Sequence, residues 1–233
     1  MDNKDRKKNI SVAVDGPSGS GKSTLSRAAA KELSLVYVDT GAIYRTTALH
    51  ILRQGADPRD AAAAAALLPE VGITLSYDAA GMQRMCLNGE DVTELIRTQE
   101  VSMAASAVSA YPVVRAFLLE MQRELARRHS VIMDGRDIGT KVLPDAAVKI
   151  YLTASARIRA MRRYQELQQQ GISGSLEEIE KNIQKRDEQD KNRENSPLRQ
   201  AEDAVLVDSS EMTIDQVAEE ILAIYRKKRE SGL

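Results

Sequence analysis

Apolar side chains cluster in five short, nearly continuous runs along the chain. Such runs are typical of strands that are covered on both faces, and helical segments between them indicate parallel pairing. The pattern therefore predicts an α/β fold with a five-stranded parallel sheet. The predicted strands end at Asp15, Asp39, Asp134, Thr153 and Asp208. Ligands collect beyond the carboxyl ends of such strands, so these aspartates are candidates for function, although about half are expected to be simple caps.

Apolar residues at helical spacing predict a second set of elements. Helices are expected around residues 22–33, 42–54, 98–129 and 213–229, with two more between 155 and 195. Proline disrupts a helix interior, so Pro112 is expected to divide the long segment. The alanine run at 61–66 is interpreted as a short helix end, because alanine favours helix and carries no chemistry.

Two stretches differ from this alternation. Residues 71–97 alternate apolar and polar side chains and carry turn signals at Asp78-Ala79-Ala80-Gly81 and Asn88-Gly89, which predicts a small antiparallel sheet. Residues 157–199 are rich in both charges, with Gly171 and Gly174 interrupting two helices. This second stretch is either a mobile helical flap or a solvated helix pair with surface salt bridges.

Composition narrows the function classes. The 233 residues include 33 Lys and Arg against 34 Asp and Glu, a formal charge of −1 that provides no basic field for a nucleic acid polymer. The single cysteine, Cys86, forms no internal disulfide and is interpreted as a small apolar side chain. The charged start lacks a following apolar segment, so neither a signal peptide nor a membrane anchor is predicted and a cytoplasmic protein is expected. No long apolar heptad argues for a dimer, so a monomer is expected.

The stretch GPSGSGKST at residues 16–24 carries the strongest motif. Gly16, Gly21, Lys22 and Ser23 have the spacing of a phosphate loop, and the stretch lies between a predicted strand and a predicted helix. Glycine allows the backbone to cradle phosphates, the lysine reaches the outer phosphates, and the serine hydroxyl is placed to bind Mg²⁺. The motif therefore predicts binding of a nucleoside triphosphate, with Mg²⁺ as the cofactor.

A phosphate loop alone does not separate a kinase from a GTPase switch. The chain lacks the Asn-Lys-x-Asp guanine reader expected late in a GTPase, which weakens the switch interpretation. A kinase needs a second pocket with cations around the acceptor. Two loops after predicted strands offer such groups: DTGAIYR at 39–45, and DGRDIG at 134–139, with one arginine and two carboxylates.

These motifs resemble those of the bacterial cytidylate kinases, the (d)CMP kinases among the nucleoside monophosphate kinases. VAVDGPSGSGKST, DTGAIYR, DGRDIGT and KRDEQDKNR occur in order across almost the whole chain. The resemblance implies one phosphate-loop domain with three αβα layers: a core at 9–60, 98–155 and 200–233, a nucleotide-binding insert at about 61–97, and a helical lid at about 156–199.

The resemblance also implies roles for individual residues. The catalytic residues would be Lys22, Arg136 and Arg193. ATP would bind at Gly16, Pro17, Ser18, Gly19, Ser20, Gly21, Lys22, Ser23, Thr24, Arg159 and Arg162, with Ser23 on Mg²⁺. CMP would bind at Thr40, Tyr44, Arg45, Ser106, Arg115, Arg136, Asp137, Arg186, Asp190 and Arg193. The family often has serine where this chain has Thr40, a change that keeps the hydroxyl.

Physical chemistry supports part of this assignment independently. A fixed carboxylate at Asp137 would attract the exocyclic amine of cytosine and repel the carbonyl of uracil. Arg186, Asp190 and Arg193 have the i, i+4, i+7 spacing of one helix face, although a surface salt bridge is the alternative for any one of them. The expected reaction is phosphoryl transfer from ATP to CMP or dCMP. The alternatives are a kinase for UMP, AMP or shikimate, and a nucleotide-binding ATPase or GTPase switch.

Overall fold

A computed structural model of the chain describes residues 9–79, 81–169 and 171–231. The strands are β1 (Ser11–Asp15), β2 (Val36–Asp39), β3 (Ile73–Tyr77), β4 (Gln83–Leu87), β5 (Glu90–Asp91), β6 (Val131–Gly135), β7 (Val148–Thr153) and β8 (Val205–Asp208). The α-helices are α1 (Lys22–Leu33), α2 (Thr40–Arg53), α3 (Ala61–Leu67), α4 (Gln99–Val108), α5 (Pro112–Arg128), α6 (Ala156–Gln169), α7 (Leu176–Lys191) and α8 (Ile214–Glu230). Short 3₁₀ turns lie at Leu68–Glu70 and Leu95–Arg97, and a wider π-helical turn lies at Ile138–Val142.

The main sheet has the strand order β2-β6-β1-β7-β8. Strand β1 pairs in parallel with β6 on one side and with β7 on the other, and β7 pairs in parallel with β8. The predicted five-stranded parallel sheet is therefore confirmed. Four of the five strands end at the predicted residue, whereas β6 continues one residue further, to Gly135. The edge strand β8 is not covered on both faces as predicted, because its Leu206 is 55% exposed.

The chain divides into two compact units. The first unit comprises the residues up to Tyr37, 123–192 and those from Ser196 onwards, and the second comprises 38–122 and 193–195. The chain therefore changes units within β2 and again within α5. The predicted division into a core, an insert at about 61–97 and a lid at about 156–199 stays a prediction.

Alternate residues of the strands build the core of the first unit. Val12 and Val14 of β1 and Ile150 and Leu152 of β7 point to one face, where they join side chains of α1 and α8 such as Leu25. Residues between them in sequence, such as Ala13, are also buried, so β1 is covered on both faces. Burying such aliphatic side chains contributes about 1.5–3 kcal/mol each to folding.

The second unit contains α2, α3, α4, the small sheet β3-β4-β5 and the first part of α5. Strands β3 and β4 pair antiparallel, and β4 pairs antiparallel with β5. The β4–β5 turn is made by Asn88 and Gly89, which both have positive φ, 51° and 88°. Two such residues fit the tight turn whose twist matches a hairpin. The predicted antiparallel sheet is therefore confirmed.

The helix boundaries show where local capping overrides periodicity. Helix α2 begins at Thr40, before the predicted start, because the Asp39 carboxylate accepts a hydrogen bond from the Ala42 N–H. The alanine run forms a separate short helix, α3. Pro112 begins α5, and α4 ends at Val108, so the predicted division is confirmed. Among the described residues, no single helix is long and apolar enough to span a membrane, although the bent pair α4 and α5 together meets that test of length and composition.

One predicted alignment is wrong. Helix α7 ends at Lys191, so Arg193 does not share a helix face with Arg186 and Asp190. The reason lies in the following segment: the Leu198 N–H donates to the main-chain carbonyl of Asp190 at 2.7 Å, in place of a continuing helical bond. Proline at 197 is also poorly compatible with a continuing helix.

Candidate active site

The phosphate loop joins β1 to α1 within the first unit. Gly16, Gly19 and Gly21 have φ of 151°, 76° and 90°, which side-chain-bearing residues rarely adopt. A Cβ on Gly16 would also overlap the carbonyl oxygen of Leu152 in β7. The loop conformation therefore requires glycine at Gly16. The other predicted loop residues vary in exposure, from the fully buried Ser20 to the exposed Thr24.

Lys22 opens α1 and is buried against the loop. Its Nζ donates to the Pro17 carbonyl oxygen at 2.7 Å and lies 3.4 Å from Ser20 Oγ. Burial, and then the positive charge of Arg136, lower the pKa of Lys22 to about 7. The first turn of α1 contains no acidic side chain, so the positive end of the helix dipole is not neutralised there. The region is therefore suited to an anion.

Ser23 lies beside an aspartate that ends a strand. Its hydroxyl donates to Asp134 Oδ2 at 2.7 Å, and the Tyr37 hydroxyl donates to Oδ1 of the same carboxylate at 3.3 Å. Hydroxyl and carboxylate oxygens are the ligands that Mg²⁺ prefers, so Ser23 and Asp134 fit this ion. The part of the chain that the structure describes has no cluster of three or more His, Cys, Asp or Glu side chains for a metal. Mg²⁺ would therefore also need phosphate or water oxygens.

Arg136 and Asp137 follow β6 directly. Arg136 Nε donates to Asp190 Oδ2 of α7 at 2.9 Å, and the Asp190 side chain is only 1% exposed. The structure therefore brings together two residues predicted to contact CMP, and it pairs them with each other. Asp137 is buried, at 4% exposure, and directly precedes the π-helical turn Ile138–Val142.

Asp15 is buried between the phosphate loop and this turn. Its Oδ1 accepts from the Ile138 N–H and its Oδ2 accepts from the Gly139 N–H, both at 2.7 Å. Burial raises the pKa of Asp15 to about 6, although the two N–H donors act in the opposite direction. From the sequence, Asp15 was predicted only to end a strand, and Asp134 to end a strand and to open the DGRDIG loop, with no specific contact for either.

The predicted lid arginines are held by local partners. Arg159 is 3% exposed and forms a double ion pair with Asp187 of α7, at 3.1 and 2.5 Å. Its Nη1 also donates to the Ser18 carbonyl of the phosphate loop at 3.0 Å. Arg162 donates to the carbonyl oxygen of Ser209 at 2.7 Å. Of these two, only Arg159 contacts the loop directly, and no sequence signal identified Asp187.

In the second unit, Arg45 is aligned by the residue that caps its helix. Asp39 accepts from Ala42 N through Oδ1 and from Arg45 Nη2 through Oδ2, both at 2.9 Å. The Asp39 main chain is itself held by Gln83 of β4, whose Oε1 accepts from the Asp39 N–H at 2.8 Å. The small sheet therefore fixes the cap, and the cap orients the arginine.

Five other predicted residues also lie in the second unit. The Arg115 guanidinium lies 5.5 Å from the ring centre of Tyr44 and donates to the Ser109 carbonyl at 3.1 Å. Ser106 lies in α4 and is half-buried, and Thr40 is buried at the start of α2. Arg193 lies in the short segment 193–195 of this unit, whereas Arg186 lies in α7 of the first unit.

This fold and this loop define a phosphate-loop α/β protein. A solved gluconokinase from Sinorhizobium meliloti has a similar fold, with a TM-score of 0.50 and 16% sequence identity over 97% of both chains. The chain belongs to the cytidylate kinase family, whose family model matches residues 12–227. The family resemblance read from the sequence is therefore confirmed.

Curated relatives match along nearly their whole length. A cytidylate kinase from Caldicellulosiruptor bescii is 46% identical over 94% of this chain and 97% of its own length. One from Carboxydothermus hydrogenoformans is 47% identical over 94% of this chain and 98% of its own length. The resemblance thus extends through both compact units.

Proposed function

We propose that the chain transfers the terminal phosphoryl group of ATP to CMP or dCMP, giving ADP and CDP or dCDP. The observation that carries this proposal is the cytidylate kinase family match across residues 12–227. That span contains the phosphate loop and every other residue predicted to bind a substrate. The full-length relatives that are named cytidylate kinases support the same activity.

On the donor side, the phosphate loop would hold the phosphates of ATP. Lys22 donates to the Pro17 carbonyl, and a phosphate oxygen would replace that acceptor and favour the charged ammonium. Arg159, which already contacts the Ser18 carbonyl, and Arg162 would add charge to the donor phosphates. These residues would neutralise charge that develops during transfer.

Ser23 and Asp134 would hold Mg²⁺ with the donor nucleotide. Their hydrogen bond places a hydroxyl and a carboxylate together at the end of β6 and the start of α1. When bound, Mg²⁺ neutralises charge on the donor phosphates. The Tyr37 hydroxyl, which donates to the same carboxylate, would keep that carboxylate oriented.

The acceptor phosphate would be gripped by Arg45, Arg136 and Arg193. A guanidinium has five N–H donors, so the ion pairs of Arg45 with Asp39 and of Arg136 with Asp190 orient these side chains without using every donor. Such orientation before binding lowers the cost of ordering the site. The acceptor is already an ionised phosphate oxygen, so no general base is required.

Recognition of the nucleoside would fall to a separate set of residues. Asp137, with Ser106 and Arg115, would read cytosine. Arg186 and Asp190 would contact the ribose, and Thr40 and Tyr44 would line the pocket. Because Asp190 is also paired with Arg136, its carboxylate would contact the ribose and also orient an arginine that binds the acceptor phosphate.

We also propose that the chain acts as a cytoplasmic monomer on small molecules, without a nucleic acid polymer or a membrane as partner. The near balance of 33 basic and 34 acidic residues supports the exclusion of a polyanionic partner. Sedimentation of the purified chain would measure its oligomeric state directly.

An acceptor panel tests the proposed function. The purified chain is mixed with ATP, Mg²⁺ and CMP, dCMP, UMP, AMP or shikimate in turn, and ADP formation is followed by a coupled assay. CMP and dCMP should be the preferred acceptors. Preference for another acceptor would indicate one of the alternative kinases. ATP or GTP hydrolysis without any acceptor dependence would instead indicate a nucleotide switch.

Asp137→Ala tests the base-reading assignment with the same assay. The ratio of kcat/KM for CMP to that for UMP should fall about 10- to 100-fold, because a good polar contact to a base discriminates by about 1–3 kcal/mol. Lys22→Ala is the control, because it should lower turnover with every acceptor and leave the ratio unchanged. An unchanged preference for CMP in Asp137→Ala would contradict the assignment.

A further inference from the structure

The turn that follows Asp137 has an unusual form. The main-chain N–H of Val142 donates to the Asp137 carbonyl at 3.1 Å, and that of Leu143 donates to the Ile138 carbonyl at 2.7 Å. Both bonds span five residues, so this is a π-helical turn, a form that is rare and occurs often at functional sites. Its first N–H groups have no acceptor within the turn and need one from elsewhere.

An aspartate in the position of Asp137 ordinarily supplies that acceptor itself. Aspartate is favoured before a helical turn because its carboxylate accepts from the first free N–H groups. Here the Asp137 side chain makes no capping hydrogen bond to the described turn. Asp15 accepts from Ile138 and Gly139 instead, with one carboxylate oxygen for each N–H.

Capping of the turn by Asp15 in place of Asp137 has a cost and a consequence. Asp15 is 4% exposed, so its carboxylate is removed from water to make these two bonds. In return, a residue that directly precedes the phosphate loop holds the backbone that carries Asp137. All the groups involved belong to the first unit.

We infer that Asp15 is a positioning residue for base recognition: it caps the turn in place of Asp137, so that the Asp137 carboxylate is aimed at the nucleobase. This inference deepens the proposed function and rests on it. Asp15 itself touches neither base nor phosphate in this role. A purely structural role would predict that its loss lowers stability and leaves substrate preference unchanged.

Asp15→Asn is the direct test. Asparagine keeps the shape, but its amide nitrogen presents donors to an N–H group, so one of the two capping bonds is lost. The kcat/KM for CMP should fall about 10- to 100-fold, as expected for a misplaced recognition group, and the ratio of CMP to UMP should fall with it. The KM for ATP should keep its wild-type value. Amide hydrogen exchange at Ile138 and Gly139 should accelerate about tenfold.

Asp60→Asn is the matched control. Asp60 also caps a short helical turn, with Oδ1 accepting from Ala62 N at 2.9 Å and from Ala63 N at 3.0 Å, and it lies in the other unit. Asparagine keeps the one oxygen that accepts both bonds, so exchange at its own turn and the CMP to UMP ratio should both stay close to their wild-type values. A double variant adds a second test: Asp15→Asn should cause no further loss of discrimination in an Asp137→Ala background, if it acts through Asp137.

Gly139→Ala perturbs the same contact if Asp15→Asn fails to fold. A methyl group there would lie 3.3 Å from Asp15 Oδ2 and 3.2 Å from Lys149 Cδ, so the carboxylate must shift. The effect on the CMP to UMP ratio should have the same direction and be smaller.

A folded Asp15→Asn variant with wild-type preference for CMP would overturn the inference, as would additive losses in the double variant. A wild-type chain that does not phosphorylate CMP would overturn the proposed function instead. In that case, the hydrogen-exchange rates alone test whether Asp15 stabilises the turn. Wild-type rates at Ile138 and Gly139 in Asp15→Asn would contradict this role, and faster rates would support it.

Discussion

The phosphate loop and the helix pair formed by α6 and α7 lie in the same unit, and both bring positive charge to the proposed donor site. In the loop, the backbone sets the geometry: three glycines have positive φ, and Lys22 donates to a main-chain carbonyl. In the helix pair, side chains set it: Arg159 of α6 is held by the carboxylate of Asp187 in α7.

This difference has consequences for how each region responds to change. A backbone conformation that only glycine tolerates is lost when a single methyl group is added. The loss of one partner of an ion pair destabilises the protein more, the further that pair is removed from water. The loop should therefore respond in an all-or-none manner, and the helix pair should respond gradually, according to burial.

Gly16→Ala should have the largest effect. The added Cβ would overlap the Leu152 carbonyl oxygen, which belongs to the backbone of β7 and cannot easily move. We expect a loss of more than about 4 kcal/mol in the free energy of unfolding, or failure to fold, together with loss of ATP binding. Urea unfolding and calorimetric titration with ATP measure these quantities.

The control is Gly171→Ala in the connection between α6 and α7. Gly171 also has positive φ, 72°, but no atom of the described residues, its chain neighbours aside, lies within 4 Å of the position of its added Cβ. Its substitution should cost only the strain of the left-handed conformation, about 1–2 kcal/mol. Equal losses for the two variants would show that φ alone, and not the contact with Leu152, determines the effect at Gly16.

Lys22→Met should have the next largest effect, and it should change activity and stability in different ways. Turnover with every acceptor should fall about 10²- to 10³-fold, the usual loss when one charge-stabilising donor is removed. The free energy of unfolding should not fall together with turnover. Burial lowers the pKa of Lys22 to about 7, from an ordinary value of 10.5, so the unfolded chain binds that proton more tightly.

The stability of the wild-type chain should therefore gain a contribution as pH rises from about 7 towards 10.5, when Lys22 loses its proton in the folded state. The difference in free energy of unfolding between Lys22→Met and wild type should be greatest near the lower pH and shrink as pH rises. Chemical denaturation across that range measures it. A difference that does not change with pH would contradict the shifted pKa.

The contrast between local backbone geometry and contacts between distant residues also separates the features that could be predicted from the sequence from those that could not. The strands, the phosphate loop and the β4–β5 turn were predicted because each depends on neighbouring residues in the sequence: an apolar run, a glycine spacing, an Asn-Gly pair. The end of α7 was not, because it depends on Leu198 returning to bond the Asp190 carbonyl. The π-helical turn has no comparable residue signature.

The charged pairs could not be predicted for a related reason. Arg136 and Asp190 are 54 positions apart, and Arg159 and Asp187 are 28 apart. With 33 basic and 34 acidic side chains in the chain, composition and spacing allow many such pairings. Only the packing of β6, α6 and α7 selects among them, and that selection also determines which arginines are aligned for phosphate.

Asp187→Asn should have the smallest effect of the three, because it changes one charge and leaves the backbone intact. It removes the charged partner of a guanidinium that is 3% exposed, so we expect a loss of about 1–3 kcal/mol in the free energy of unfolding. ATP with Mg²⁺ should then raise the melting temperature more than in wild type, because donor phosphates would replace the lost carboxylate. Urea unfolding and thermal shift measurements with and without ATP measure both effects.

Glu180→Gln in the same helix pair is the matched control, because Glu180 pairs with Arg157 at a similar distance, 2.9 Å, but the arginine side chain is 51% exposed. Water screens that pair, so its loss should cost less than about 1 kcal/mol and leave the ATP-induced shift unchanged. If the two variants lost equal stability, burial would not determine the strength of these pairs. The helix pair would then differ from the phosphate loop only in the size of the effect, and the contrast between backbone and side-chain control would fail.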